Sequence, residues 1–356
     1  MNVELPDRIQ VFLLNTFYFL LLIFCIHPFF MLSFFRTNQP LANIFLLVYL
    51  LIVRVSTFVH PLTSVPKSQG ILTQWMYLEV APNGFLAHIM SFILIFVQAI
   101  FINITISRFR VTGEMSLLPG LFYCLVSSFI PEFLTLSPIL LANTFLIVAM
   151  FYMFDIYKNN YASPRIFDVG LWIGVASLFH FSYVVFVFWG FVGLGILRGI
   201  RPKELLMLLF GFAIPFFLFW VFLFWNDKGE LLGKHFTDNL GFLSFVKNSN
   251  PTTYIKLGIM GLMIAILLLA SSLFFSKKTI STQKFISIVY WMLLISGFTI
   301  LIQSNIELNH LLILTVPMGI LLSMLFLRIK PATAEALHLV FLAVALVLQF
   351  EYILIK

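Results

Sequence analysis

The stretch from Phe85 to Ser107, "FLAHIMSFILIFVQAIFINITIS", decides the fold. It runs for 23 residues without a charged side chain and ends only at Arg108. A helix needs about 20 consecutive apolar residues to cross a hydrocarbon core of about 30 Å. A transmembrane β-strand would instead alternate apolar and polar positions over segments of about ten residues. The continuous run therefore predicts a membrane-spanning helix, whose backbone groups all bond within the segment as lipid requires.

The rest of the chain repeats this texture. Of 356 residues, 61% are hydrophobic and only 10% charged, 44 are phenylalanine, and the mean hydropathy is +1.06. Soluble domains carry about 25% charged residues, so a soluble domain is excluded. Apolar runs predict up to twelve spans, at 9–35, 41–60, 85–107, 114–131, 134–154, 166–181, 182–198, 204–225, 253–275, 282–303, 308–328 and 333–355. The fold class is an all-α polytopic transmembrane bundle of about 11–12 spans, a single integral membrane domain over residues 1–356. Within 166–198 the centre "SLFHFSY" places His180 beside Ser182 and Tyr183. A broken or re-entrant helix lining a cavity and one long tilted helix both fit that segment. Residues 9–35 differ from a signal peptide, because Glu4 and Asp7 stand where a positive region belongs. They are expected to be retained in the membrane.

The net charge of +7 reports orientation. Thirteen of the 21 basic residues fall in alternate short connections: Arg36, Arg108, Arg110, Lys158, Arg165, Arg198, Arg201, Lys203, Lys277, Lys278, Lys284, Arg328 and Lys330. That side is cytoplasmic by the positive-inside rule. No basic patch with interleaved aromatics is present, so nucleic acid is not an expected partner; the lipid bilayer is. Cys25 and Cys124 lie in apolar segments and form no CxxC pair.

The outward side then holds 61–84, the turn at 131–133, the loop 226–252 and the turn 304–310. In 61–84, Ile71, Leu72, Trp75, Met76 and Leu78 fall near helical spacing, predicting a short interfacial helix with Trp75 and Tyr77 at headgroup level. Gln74, Glu79 and, at the end of the preceding span, His60 are candidate substrate contacts there; Glu79 also suits the helix's polar edge. Glu132 stands in "SFIPEFLTLSPILLANTF", Ser128 to Phe145. Pro131 is expected to end one helix and Pro138 to open the next. Glu132 reads either as a capping carboxylate that reaches water or as a functional acid, the latter as general base, substrate acceptor or ligand of a divalent cation. Arg54 is the basic residue deep in a predicted span; it either faces the bundle, where it suits a phosphate, or snorkels. Glu307 and His310, three apart, share a helix face and read as an acid–base pair or as a capped polar turn. His27, His88 and His338 are expected to be satisfied by backbone or water, and His235 to be solvated. No HExxH, GxSxG or Walker-type glycine loop occurs.

Over residues 41 to 225 the order is a span, an outer loop with a flat helix, a span, the basic inner turn "RFRVTGE", a span, a tight acidic outer turn and a further span. This resembles in topology the first half of the GT-C class of membrane glycosyltransferases. The resemblance implies a polyprenyl-phosphate-linked sugar donor, with Glu132 in the place of the second-loop acid. The first-loop acid of that class has no counterpart in "HPLTSVPKSQG", residues 60 to 70. From "MLSFFRTNQPLANIFLL", Met31 to Leu47, the chain also resembles an uncharacterised family of bacterial polytopic inner-membrane proteins, which implies that residues 1–30 are either an N-terminal extension or an upstream start choice. A transferase, a non-catalytic subunit presenting its outer loops to an envelope protein partner, and a transporter or flippase are the functions open to such a chain.

Overall fold

The computed structural model describes residues 31–36, 40–59, 70–82, 84–230, 233, 251–275, 278–301 and 307–350. Most of 9–35, His27, His60, His235 and residues 231–232 and 234–250 of the loop 226–252 lie outside the described residues. The elements are α1 (Met31–Phe35), α2 (Pro40–Val53), α3 (Val55–Val59), α4 (Ile71–Glu79), α5 (Phe85–Arg108), α6 (Leu118–Val126), α7 (Pro138–Asp155), α8 (Ala162–Phe179), α9 (Phe186–Arg198), α10 (Pro202–Trp225), α11 (Pro251–Leu269), α12 (Ser271–Phe275), α13 (Ile280–Leu301), α14 (Thr315–Arg328) and α15 (Pro331–Gln349). Three 3-10 turns interrupt them, at Pro131–Leu134, Phe181–Val185 and Leu308–Leu314. Among the described residues there is no strand, and eight helical segments are long and apolar enough to cross a membrane. The protein is an all-α polytopic membrane bundle.

Peripheral helices present apolar side chains outward, as lipid demands. On α10, Leu206, Phe210, Phe217, Leu218 and Phe224 are exposed, and on α11 Ile255, Leu262 and Leu269 are. The centre is α6, buried at every position. It approaches its neighbours through glycines: Gly120 against Asn103 of α5, whose Oδ1 accepts from Gly120 N–H at 2.7 Å, and Gly319 of α14 against the Tyr123 backbone. Gly170 and Gly174 of α8, four apart, meet the backbone of α10, while Gly211 of α10 meets the Phe167 backbone. Small residues let helix axes approach where no hydrophobic force favours protein over lipid.

The run expected at 114–131 is the nine-residue helix α6, which stops at Val126, five residues before Pro131. The reason is side-chain capping. Arg54 Nη2 donates to Ser127 O at 3.4 Å and its Nε to Ser128 Oγ at 3.0 Å, while the Gln349 amide donates to Ser128 O. These groups take the place of another helical turn, and Pro131 opens a 3-10 turn instead of closing a helix. The segment 166–198 is broken: α8 ends at Phe179, His180 is extended with φ −146° and ψ 116°, and the 3-10 turn precedes α9.

The basic connections meet one another. Arg108 and Arg165 both reach Asp155, Arg198 donates to Asn159 O at 2.6 Å, Lys284 to Leu197 O at 3.2 Å, Lys278 to Thr112 O at 2.7 Å and Arg36 to Phe326 O at 3.1 Å. Burial, then the nearby Arg328, lowers the Lys278 pKa, and Glu114 opposes the shift. One end of the bundle is therefore the basic end. The other end gathers α4 and the three 3-10 turns.

Candidate functional site

The site is built on those turns. Pro131–Leu134 packs against Leu308–Leu314, and Phe181–Val185 packs against α13, which also meets Leu308–Leu314. Each turn brings a polar residue into an apolar setting: Glu132, His180 and Tyr183, and His310. Helix α4 covers this end, as the spacing of Ile71, Trp75 and Met76 predicts. Thr73 Oγ1 donates to Phe179 O at 3.0 Å, capping α8 beside His180, and Tyr77 donates its hydroxyl to Leu136 O at 2.8 Å. Burial raises the Tyr77 phenol above its ordinary pKa. Trp75 lies edge-on to Phe219 and Phe222 of α10.

Glu132 is paired. Lys256 Nζ of α11 donates to Oε1 at 2.9 Å and to Oε2 at 3.2 Å; the lysine side chain is 2% exposed and the glutamate 28%. A carboxylate that only capped a turn into water would have no such partner. Lys256 escapes notice in the sequence because it follows the loop expected outside, although an ionisable residue in "YIKLGIMGLM", Tyr254 to Met263, is itself a signal.

Arg54 does not snorkel. It lies fully buried between α2 and α3. Besides Ser128 Oγ and Ser127 O, it donates to Ser91 Oγ at 2.8 Å and to Phe133 O at 2.7 Å. It thus fixes the turn that carries Glu132. No carboxylate lies within ion-pair distance of it among the described residues.

Glu307 and His310 do meet, as a reciprocal cap. The Glu307 N–H donates to His310 Nδ1 at 2.8 Å, and the Glu307 side chain accepts from the His310 N–H. Because Nδ1 accepts, a neutral His310 carries its proton on Nε2. Its ring lies 5.5 Å from that of His180, tilted by 34°. His180 faces Tyr183 edge-on, and the Tyr183 hydroxyl donates to Asn143 Oδ1 at 2.7 Å while Asn143 donates to Leu312 O. The turns Phe181–Val185 and Leu308–Leu314 are thereby linked through Asn143 and the two histidine rings, while Pro131–Leu134 joins them by packing.

Other candidates do not join the cluster. Gln74 is exposed on α4. Glu79 ends α4, and its side chain lies outside what is described. Among the described residues no group of three or more His, Cys, Asp or Glu side chains could hold a metal ion. His338 bonds Tyr49 through Nε2 at 3.0 Å, with Nδ1 unpartnered, and His88 has no partner at either ring nitrogen. His338 is thus held by a side chain, and His88 has no protein partner among the described residues. Glu335, also overlooked, accepts from Leu32 N–H at 3.0 and 3.1 Å and so caps α1.

These features define a polytopic helical membrane protein with a polar cluster at the end opposite its basic loops. Comparison with protein-family models, with curated proteins and with solved structures finds no match.

Proposed function

We propose that the protein is a GT-C-like transferase of a bacterial inner membrane, acting on a polyprenyl-phosphate-linked sugar at the outer leaflet. The observation that carries this reading is the Glu132–Lys256 ion pair at 2.9 Å. It joins two distant segments at the end facing away from the basic loops. A carboxylate positioned by a buried ammonium, and itself partly exposed, can meet an acceptor hydroxyl as a general base. Glu132 takes the proton of an acceptor hydroxyl as the oxygen bonds to the sugar's anomeric carbon. The bond from that carbon to the lipid phosphate breaks, and its electron pair leaves with the phosphate.

The test is a deletion strain profiled for envelope glycans and lipid-linked intermediates, then complemented. Wild type restores the missing glycan; Glu132→Gln does not, and neither does Glu132→Gln/Lys256→Met, which removes both charges of the pair. Equal rescue by all three, at equal abundance, overturns the catalytic role and favours a non-catalytic subunit of an envelope complex. A second reading, a transporter or flippase, is favoured by the helix break at His180, since discontinuous helices build transport sites. Movement of a lipid-linked substrate by the purified protein in liposomes, lost in His180→Ala and kept in Glu132→Gln/Lys256→Met, would select it.

A further inference from the structure

Two buried groups near the N-terminal end of α5 are left unmatched among the described residues. The first is Arg54. A guanidinium carries five N–H groups. Those of Arg54 that bond do so to Ser128, Ser91, Ser127 and Phe133, all neutral acceptors. Its remaining N–H is on Nη1, the nitrogen that meets Ser91. The second is His88, 3% exposed, with neither ring nitrogen hydrogen-bonded. His88 and Ser91 are three apart on one face of α5, and Arg54 Nη1 bonds Ser91 Oγ at 2.8 Å. An unpaired buried charge and an unpaired buried ring each carry a desolvation cost.

The surroundings add positive potential and no counter-charge. His88 lies in the first turn of a 24-residue helix, whose N-cap, Gly84, makes no side-chain cap. The free N–H groups and dipole of such a turn favour an anion. Among the described residues no carboxylate lies within ion-pair distance of Arg54. The carboxylate of Glu132, on the turn Arg54 holds, is committed to Lys256. A water molecule bonded to His88 would satisfy one nitrogen and leave the charge of Arg54 unbalanced.

We propose that Arg54, His88 and the uncapped first turn of α5 form a seat for a phosphate-type oxyanion. Every group there is a hydrogen-bond donor or, for imidazole, becomes one on protonation, and several donors converging on one charged group is how phosphate oxygens are held. The group belongs either to a lipid headgroup or to free phosphate. Its assignment to the sugar donor's lipid rests on the transferase reading above, whereas the seat itself does not. Arg54 bonds Phe133 O, next to Glu132 in the chain. A lipid phosphate in this seat is thereby placed beside the turn that carries the base.

The experiment uses the full chain in nanodiscs and titrates farnesyl phosphate, farnesol and inorganic phosphate. Wild type binds farnesyl phosphate more tightly than farnesol. His88→Phe, which keeps the ring's bulk, weakens farnesyl phosphate by about tenfold or more, as expected for losing one hydrogen bond to a charged group. The unliganded melting temperature of His88→Phe stays the same or rises, because a buried unpaired group has been removed. Displacement by inorganic phosphate assigns recognition to the phosphate alone, and its failure to displace assigns it to the lipid phosphate; both agree with the seat. Equal affinity of wild type and His88→Phe for farnesyl phosphate, or no preference over farnesol, overturns it. Glu132→Gln/Lys256→Met retains the binding, so loss of the transferase reading and loss of the seat are read separately.

Discussion

The Glu132–Lys256 pair makes an asymmetric prediction. Lys256 is 2% exposed and Glu132 28%, so the two truncations leave very different remnants. Glu132→Gln leaves a buried ammonium without the carboxylate it bonds, and breaking a buried pair from one side costs about 3–5 kcal/mol. Lys256→Met leaves a carboxylate that already reaches solvent, and its cost falls to about 1–2 kcal/mol, nearer that of a partly exposed hydrogen bond to a charge. The double variant Glu132→Gln/Lys256→Met leaves no charge and is at most about 1–2 kcal/mol below wild type. Reversible unfolding in mixed micelles, read as a double-mutant cycle, measures all three. Additive losses in the double would refute the reasoning because they mean that the two charges do not interact, and equal losses for the two single variants would refute it because they mean that the difference in burial has no effect.

Three further outcomes follow from packing and hydrogen bonding. Gly211→Ala pushes a methyl group into the Phe167 backbone and destabilises by about 1–3 kcal/mol, the cost of overpacking; the same unfolding titration checks it. Arg54→Lys keeps the charge but loses the planar fork that serves Ser91, Ser128 and Phe133. It costs about 2 kcal/mol or more and speeds hydrogen exchange in 127–134. Tyr77→Phe removes the bond to Leu136 O, a loss of about 1 kcal/mol, seen as faster exchange over α4 with the rest of the bundle unchanged.

The helical class and most helix positions were legible because lipid enforces one pattern, long uncharged runs with loops between them. The run at Phe85–Arg108 is such a case, and so is the flat helix α4, whose apolar spacing survives in a loop. The end of α6 was not legible. Pro131 is the visible breaker, but the helix stops earlier, where Arg54 and Gln349, 73 and 221 residues away in the chain, take the carbonyls of Ser127 and Ser128 just past its end. Local rules cannot see partners at that distance. Glu132, His180 and His310 were each readable as polar residues at boundaries; their gathering at one end followed from topology. Lys256 and His88 were harder, one because its helix start adjoins a long loop, the other because a histidine in an apolar run ordinarily finds a partner.

The central claim is that Glu132 acts on a lipid-phosphate-linked substrate at the outward face. Its most direct measurement is release of polyprenyl phosphate from a polyprenyl-phosphate-linked sugar by the purified protein in nanodiscs. Wild type should release it in step with transfer of the sugar, and Glu132→Gln/Lys256→Met, folded and able to bind farnesyl phosphate, should not. Release at the wild-type rate by that variant would contradict the account.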